Sequence, residues 1–455
     1  MINYKYLYMK GKQDMKTFRI IFLSFVTLIS AIVLQAAFTS SEAIGGDTLY
    51  VTQDGAGNKD GTSWENAACD LKNLLDSTNG EAEIWVASGT YSPGEESTDT
   101  FSLRKGIKIY GGFAGTETAI AERDVEKNVT TLSGGKISRN VAVVTARNGA
   151  LSGDTCIDGF TVTEGGNTTS GGGLYTEINS SPLISGCIFS NNTAYLSGGG
   201  VYNYYSSPCL LNCTFSENNS VIENGGGVSN YYSSAKFLNC TFLKNEAVYG
   251  GGIFVFGAKV LVENSTFTDN SSFSRGAGMS NYNSSVSVTG STFSGNHSEE
   301  YGGGMYNEDS EPVIINCVFS SNTVAPGNGG GMANIGSSVD ITGCKFTLNE
   351  ADFYGGGIAN VKSSLKISDC DFSENKAVRF NGGGIVNWET SLAINNSKFI
   401  ENTAVNGGGI YNYNSSPVIE NSVFSGDVRV NAIEDAGDKS KTILIDCVIS
   451  KDSVE

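Results

Sequence analysis

Positive charge is what this chain has least of: 29 lysines and arginines stand against 47 aspartates and glutamates, a net charge of −18. Such a surface repels a nucleic-acid backbone and an anionic membrane alike, so no nucleic-acid partner is expected. Histidine occurs once, as His297, at a bend where equivalent units carry Thr193, Asn219, Thr323 or Thr403. A general base needs placed partners, and this lone imidazole reads as an exposed turn residue. Proline occurs only six times. With 58 glycines, abundant Ser, Thr and Asn, and 39% hydrophobic residues, the composition suits an all-β chain with many turns and argues against disorder. Long apolar runs are missing after residue 34, so no membrane span is expected once the N-terminus is removed.

The one such run, IIFLSFVTLISAIVL (Ile20–Leu34), follows Lys16 and Arg19 and precedes QAAFTSSEA. A charged n-region, a short apolar stretch and small residues before a cleavable bond describe an export signal over residues 1–43, with Met15 as an alternative start. An uncleaved anchor is the competing reading, for which the run is rather short. The sequence then divides into an N-terminal cap with irregular first coils (44–165), regular repeats (166–427), and an irregular last coil or C-terminal cap (428–455).

What the chain has in abundance is one phrase. GGGVYNYYSSPCLLNCTFSENN (198–219) returns at 225 as GGGVSNYYSSAKFLNCTFLKNE. The glycine triplet starts at Gly171, Gly198, Gly225, Gly250, Gly276 (as GAG), Gly302, Gly329, Gly355, Gly382 and Gly407, at intervals of 25 to 27. A second landmark, F-x-x-N, keeps step at Phe189, Phe215, Phe242, Phe267, Phe293, Phe319, Phe346, Phe372 and Phe399. Its asparagines are Asn192, Asn218, Asn245, Asn270, Asn296, Asn322, Asn349, Asn375 and Asn402; at Phe424 the partner is Asp427. Repetition at a fixed period is the signature of a solenoid, whose units bury their apolar faces only by stacking.

Helical repeats need apolar residues at 3.6-residue spacing, which these Gly-, Asn- and Ser-rich units lack. Five residues before each Phe stands an apolar residue, as in Ile184, Leu210, Ile314 and Ile419. Three before it stands Asn, Gly or Asp, which tolerate a left-handed backbone and mark a bend. Two before it stands Cys or Ser, giving period-two alternation with Phe inside. Three short strands separated by bends, in about 26 residues, predict one coil of a right-handed parallel β-helix. Coils about 4.8 Å apart would stack Phe on Phe and Asn on Asn. The segment WENAACDLKNLL (Trp64–Leu75) has helical spacing and is expected to cap the open N-terminal end. The fold class is thus all-β, a right-handed parallel β-helix solenoid with an N-terminal helical cap.

The paired GGG(I/V/M) and F-x-x-N motifs, as in GGGMYNEDSEPVIINCVFSSN (Gly302–Asn322), resemble the repeats of chlamydial polymorphic outer membrane proteins and of adhesin-like β-helix proteins. The stretches LYVTQDGAGNKDGTSWENA, EIWVASGTY and IKIYGGFAGTET are similar to the opening of exported proteins of the pectin-lyase-like superfamily. The resemblance implies surface display, and catalysis only in some members. After Phe424 there is no set of alternating strands long enough for the barrel of an autotransporter, which departs from the polymorphic proteins.

Lyases of this fold use calcium on clustered acids with a basic proton abstractor, and its glycosidases use paired carboxylates. Either site needs inserted loops, and nine consecutive intervals of 25 to 27 leave none in the array. No catalytic residue is therefore assigned, and no cofactor. Calcium alone would suit the hard oxygens of Glu308, Asp309 and Glu311. Six cysteines, Cys187, Cys213, Cys240, Cys317, Cys344 and Cys370, share a column with Ser265, Ser291, Ser397 and Ser422. A position that accepts Cys or Ser reads as a buried stack of thiols, with disulfides the alternative that export permits. Six residues after the triplet start stand Tyr204, Tyr231, Phe256, Tyr282, Trp388 and Tyr413, with Glu177, Glu308, Ile335 and Val361 at the remaining turns, an exposed aromatic ladder that would bind sugar or protein, or merely cover the turn by stacking on itself. The sequence thus reads as an exported, cell-surface, non-enzymatic adhesin or binding module for host, matrix or carbohydrate. A polysaccharide lyase or glycoside hydrolase with its site near residues 85–170 is the first alternative, and a passive stalk of a larger surface protein the second.

Overall fold

The computed structural model of the chain describes residues 47–135, 139–147, 151–426 and 431–450. The export signal and Asp427 lie outside the described residues. The rest forms a right-handed parallel solenoid of about 14 turns, with about 26 residues per coil. Its strands form four parallel sheets of 15, 14, 13 and 9 strands. One coil shows the pattern: Val201–Tyr204 lies in the 13-stranded sheet, Cys209–Leu211 in the 15-stranded sheet, Thr214–Ser216 in the 14-stranded sheet and Asn219–Ser220 in the 9-stranded sheet. These are called below the asparagine, isoleucine, phenylalanine and short sheets, after their inward rungs or their length.

Four strands per coil correct the expected three. The extra strand is mostly two residues long, as at Thr193–Ala194 pairing with Asn219–Ser220, too short to leave an alternation pattern, and lengthens only at Glu246–Tyr249 and Ser271–Arg275. Single left-handed residues turn each corner: Gly198 (φ 72°), Tyr205 (49°), Asn212 (53°) and Glu217 (55°) in the coil above. The Asn212 corner was predicted from residue type. The corner at Glu217 was not, because its column also holds Lys244, Leu348 and Glu401, residues with no left-handed preference.

The core is a set of columns. Phe189 to Phe424 are each fully buried and stack face to face, with centroids 4.4 to 5.2 Å apart and planes within 2 to 6°. Beside them the F-x-x-N asparagines form a buried amide ladder. Asn296 Nδ2 donates to Asn322 Oδ1 at 2.9 Å and to the Phe267 carbonyl at 2.9 Å, and the Asn296 N–H donates to the same Asn322 Oδ1 at 3.2 Å. Each amide thus satisfies its neighbour, which removes the cost of burying it. The glycine triplets are required by close approach: a Cβ on Gly330 would sit 2.6 Å from the Gly356 carbonyl oxygen, and one on Gly331 2.7 Å from that of Gly357.

At the N-terminal end the helical signal resolves into a 3-10 turn at Trp64–Asn66 and an α-helix at Leu71–Ser77, interrupted where Ala68 pairs with Val51. Asp70 caps the helix by accepting from the Asn73 N–H at 2.9 Å, and Leu71 and Leu75 enter the core. The last coil continues the register, with Leu444 beside Ile419 and Ile449 beside Phe424, but its apolar residues remain 43 to 55% exposed. Among the described residues no helix is long and apolar enough to cross a membrane.

Candidate functional site

The asparagine sheet is the face on which side chains with binding chemistry gather. In each VYNY-like strand, alternation sends Val201 and Asn203 inward and Tyr202 and Tyr204 outward. Stacking builds two outward columns. One runs Tyr175, Tyr202, Ser229, Phe254, Ser280, Tyr306, Ala333, Ala359, Val386 and Tyr411. The other joins the predicted Tyr204, Tyr231, Phe256 and Tyr282 to Trp388 and Tyr413 through Glu308, Ile335 and Val361.

The six predicted rings are half-buried, not exposed. Rings of the first column fill the spaces between them: Tyr202 to Tyr231 is 5.7 Å, Tyr231 to Phe254 5.5 Å, Phe254 to Tyr282 5.5 Å and Tyr282 to Tyr306 5.5 Å. Burial raises the phenol pKa of Tyr202 and Tyr231, and pushes that of Tyr282 up to about 12.

Exposed aromatic surface appears one residue further on. Tyr205 and Tyr232 are 46% and 44% exposed and stack at 4.8 Å with planes 18° apart. Both hold left-handed backbone, φ 49° and 53°, at a corner that other coils fill with Asn179, Gly257, Asn283, Gly336 or Asn414. A bulky residue there costs roughly 1–2 kcal/mol, so two tyrosines are held at a position better suited to Asn or Gly. The Tyr232 ring lies over Gly257, where a Cβ would meet it at 2.7 Å. Lys362 and Glu389 hold the same left-handed corner in later coils, so what sets YY apart in the sequence is an aromatic pair on successive coils at a bend.

Arg275 ties the middle of this face together. Its Nη1 donates to Tyr306 Oη at 2.9 Å and to Glu308 Oε2 at 3.0 Å, while Tyr306 Oη donates to Glu308 Oε2 at 2.7 Å. Of the acidic turn, Glu308 is thus occupied by cationic and phenolic partners. Among the described residues no group of three or more His, Cys, Asp or Glu is placed to hold a metal ion. Beyond Tyr306 the first column shrinks to Ala333 and Ala359, opening a slot of about 180 Å³ walled by Tyr301, Tyr354 and Trp388.

The other predicted positions fall as follows. His297 is exposed, its Nδ1 2.8 Å from Thr323 Oγ1. The cysteines are free and those of the ladder are buried, with Cys213 Sγ donating to the Ile184 carbonyl at 3.5 Å. Burial pushes the Cys187 thiol up to about 12. In the first coils, Arg123 pairs with Asp158, Lys108 with Glu83 at 3.9 Å and Lys72 with Asp99 at 3.5 Å. Arg139 is buried and donates to the carbonyls of Gly94, Glu96, Asp99 and Gly134, fixing the 94–99 loop.

Residues 124–293 and 226–399 match the family profile described as right handed beta helix region, and the chain belongs to that family. Among solved structures it is similar to pectate lyase Pel9A at 11% identity, covering 88% of this chain and 79% of the lyase with a TM-score of 0.25. It is similar to tailspike protein 3 of bacteriophage CBA120 at 13% identity, covering 88% of this chain and 61% of the tailspike with a TM-score of 0.35. It is also similar to PfbA, a surface adhesin of Streptococcus pneumoniae, at 11% identity, covering 83% of this chain and 86% of the adhesin with a TM-score of 0.26. No curated protein matches the sequence.

Proposed function

We propose that the protein is an exported, cell-surface β-helix that attaches to host, matrix or carbohydrate through the outer face of its asparagine sheet. The observation that carries this reading is the Tyr205–Tyr232 pair. Exposed rings on a left-handed backbone destabilise the fold, and contact with a partner gives them a use. The apolar signal at residues 20–34 supplies the route out of the cell. Two rings of the ladder brace the exposed pair edge-on, Tyr204 against Tyr205 at 4.7 Å and Phe256 against Tyr232 at 5.4 Å; Tyr231, Tyr282, Trp388 and Tyr413 continue the same column.

The test replaces Tyr205 by Asn and Tyr232 by Gly, the residue types of neighbouring coils. Wild-type and variant chains are compared on arrays of glycans and matrix proteins, with and without calcium. The expected result is loss of binding together with unchanged or increased thermal stability, the signature of residues kept for function. Release of unsaturated or reducing sugar ends by the wild type would replace this reading with a polysaccharide lyase or glycoside hydrolase. Absence of binding by the wild type would leave the passive stalk.

A further inference from the structure

The slot beyond Tyr306 differs in kind from the aromatic surface around Tyr205. Its floor is Ala333, Ala359 and Val386, only 1 to 4% exposed; Tyr301 and Ile335 line it, and the Tyr354 and Trp388 rings, in edge-to-face contact at 5.4 Å, close one end. Phe380, 42% exposed, stacks on Tyr354 at 4.9 Å and extends that wall outward. A closed apolar cavity of about 150 Å³ accommodates a benzene ring, so this one has room for a single leucine or phenylalanine side chain.

Its polarity decides what enters. Asn328 opens onto the slot, and its Oδ1 already accepts from the Tyr354 N–H at 3.2 Å. The amides of Asn334 and Asn360 at the base are bound in the inner ladder, Asn334 Nδ2 to Asn360 Oδ1 at 2.8 Å and Asn360 Nδ2 to Asn387 Oδ1 at 3.0 Å. The hydrogen-bonding groups of the lining, Asn328 Nδ2, the Tyr301 and Tyr354 hydroxyls and the Trp388 indole N–H, belong to its walls, whereas the floor of Ala333, Ala359 and Val386 offers none, so a sugar hydroxyl pressed onto the floor would lack a partner, a cost that an apolar side chain avoids. Trp and Tyr walls around a small apolar floor are the form of an anchor pocket at a protein interface. The corner column beside it carries Asp309, Gly336, Lys362 and Glu389, two acids to one base, on a chain of net charge −18. Charge complementarity therefore asks for a cationic flank on whatever brings the anchor.

We infer that the slot over Ala333 and Ala359, bounded by Tyr301 on one side and by the touching Tyr354 and Trp388 rings (5.4 Å, edge to face) on the other, receives one apolar side chain from a basic segment of a partner protein. This rests on the reading of the chain as a binding module and names the partner class for one part of its face.

The chain has three tryptophans, Trp64, Trp85 and Trp388, so the indole N–H region of an NMR spectrum reports the slot with one resonance and the N-terminal cap with two. The probes are the capped tripeptides Lys-Phe-Lys, Lys-Ala-Lys and Glu-Phe-Glu, with a neutral oligosaccharide alongside. Lys-Phe-Lys should move the Trp388 resonance and bind at least about fivefold more tightly than either other peptide, less so as salt rises. Filling the floor with Ala333→Leu and Ala359→Leu should abolish the shift, while unmoved Trp64 and Trp85 resonances report an intact fold. Should that variant misfold, Trp388→Phe is used, read through Lys-Phe-Lys affinity by calorimetry, and should weaken binding by about threefold through loss of contact area. Equal binding of Lys-Ala-Lys, preference for Glu-Phe-Glu, occupancy by the oligosaccharide, or no shift with any peptide each overturns the inference. The binding-module reading survives those results if Tyr205→Asn with Tyr232→Gly still removes attachment.

Discussion

The coil that contains Val255 and the coils from Met305 onward share one backbone and differ in what fills it. In the later coils the inner amides of Asn307, Asn334, Asn360, Asn387 and Asn412 form an unbroken chain of hydrogen bonds, 2.8 to 3.0 Å long. In the earlier region Val255 occupies the same column between Asn230 and Asn281. Asn230 Nδ2 and Asn281 Oδ1 are then buried without a hydrogen-bond partner, and nearby Ser229 Oγ, Ser272 Oγ and Ser280 Oγ lack one too. The adjoining serine column is interrupted in the same coil, where Ala258 stands between Ser233 and Ser284. Yet Phe242, Phe267 and Phe293 stack through the break at 4.6 and 4.4 Å. The comparison teaches that the ring column and the F-x-x-N amide ladder beside it, unbroken from Asn245 through Asn270 to Asn296 at 3.0 and 2.9 Å, hold coil register through the break, while the amide column of the asparagine sheet adds stability that one coil can forgo.

The largest effect should come from the column that both regions share. Phe319→Ala, in the regular region, is expected to cost about 3–5 kcal/mol, and Phe267→Ala beside the break the same or more, read from urea unfolding. A smaller loss should follow from copying the break: Asn334→Val strands Asn307 Nδ2 and Asn360 Oδ1, at about 1–3 kcal/mol each. Hydrogen exchange should then show a second fast-opening site there beside the one expected around Val255. Repairing the break is the sharpest test. Val255→Asn completes the chain from Asn230 to Asn281 and should stabilise the protein by about 1–2 kcal/mol; a neutral or negative result would sink the comparison.

The last prediction concerns pH. Burial raises the Cys187 thiol from about 9 in the unfolded chain to about 12 in the native one. The native state then holds the proton that the unfolded state releases, so this contribution is complete below about pH 9 and declines from there to about pH 12. Cys187→Ser should flatten that alkaline decline in a thermal-denaturation series, and the exposed Cys69 should react with a thiol reagent in the native protein before the ladder cysteines do.

The period, the Phe and Asn columns, the Cys/Ser column and the Asn212-type corner were all legible in the sequence. A parallel stack sets equivalent residues against one another, so the side chain that suits one rung suits the next. The helical cap was legible in kind, though its α-helical part starts at Leu71, because Ala68 is claimed by a strand pairing with Val51. The aromatic ladder was legible as a column but not in its burial.

What the sequence by itself determined is therefore everything governed by position within one coil: inward or outward, strand or bend, stacked or unstacked. What only the tertiary structure decided depends on the diagonal neighbours. Tyr204 and Tyr231 are half-buried because Tyr202 and Phe254 lean between them, and Tyr205 with Tyr232 stands clear because Gly257 leaves room beneath the ring. The slot exists because Ala333 and Ala359, 26 residues apart, are adjacent rungs below the bulk of Tyr306. Alternation fixes the direction of a side chain, whereas its exposure is set by the volumes of residues a full coil away.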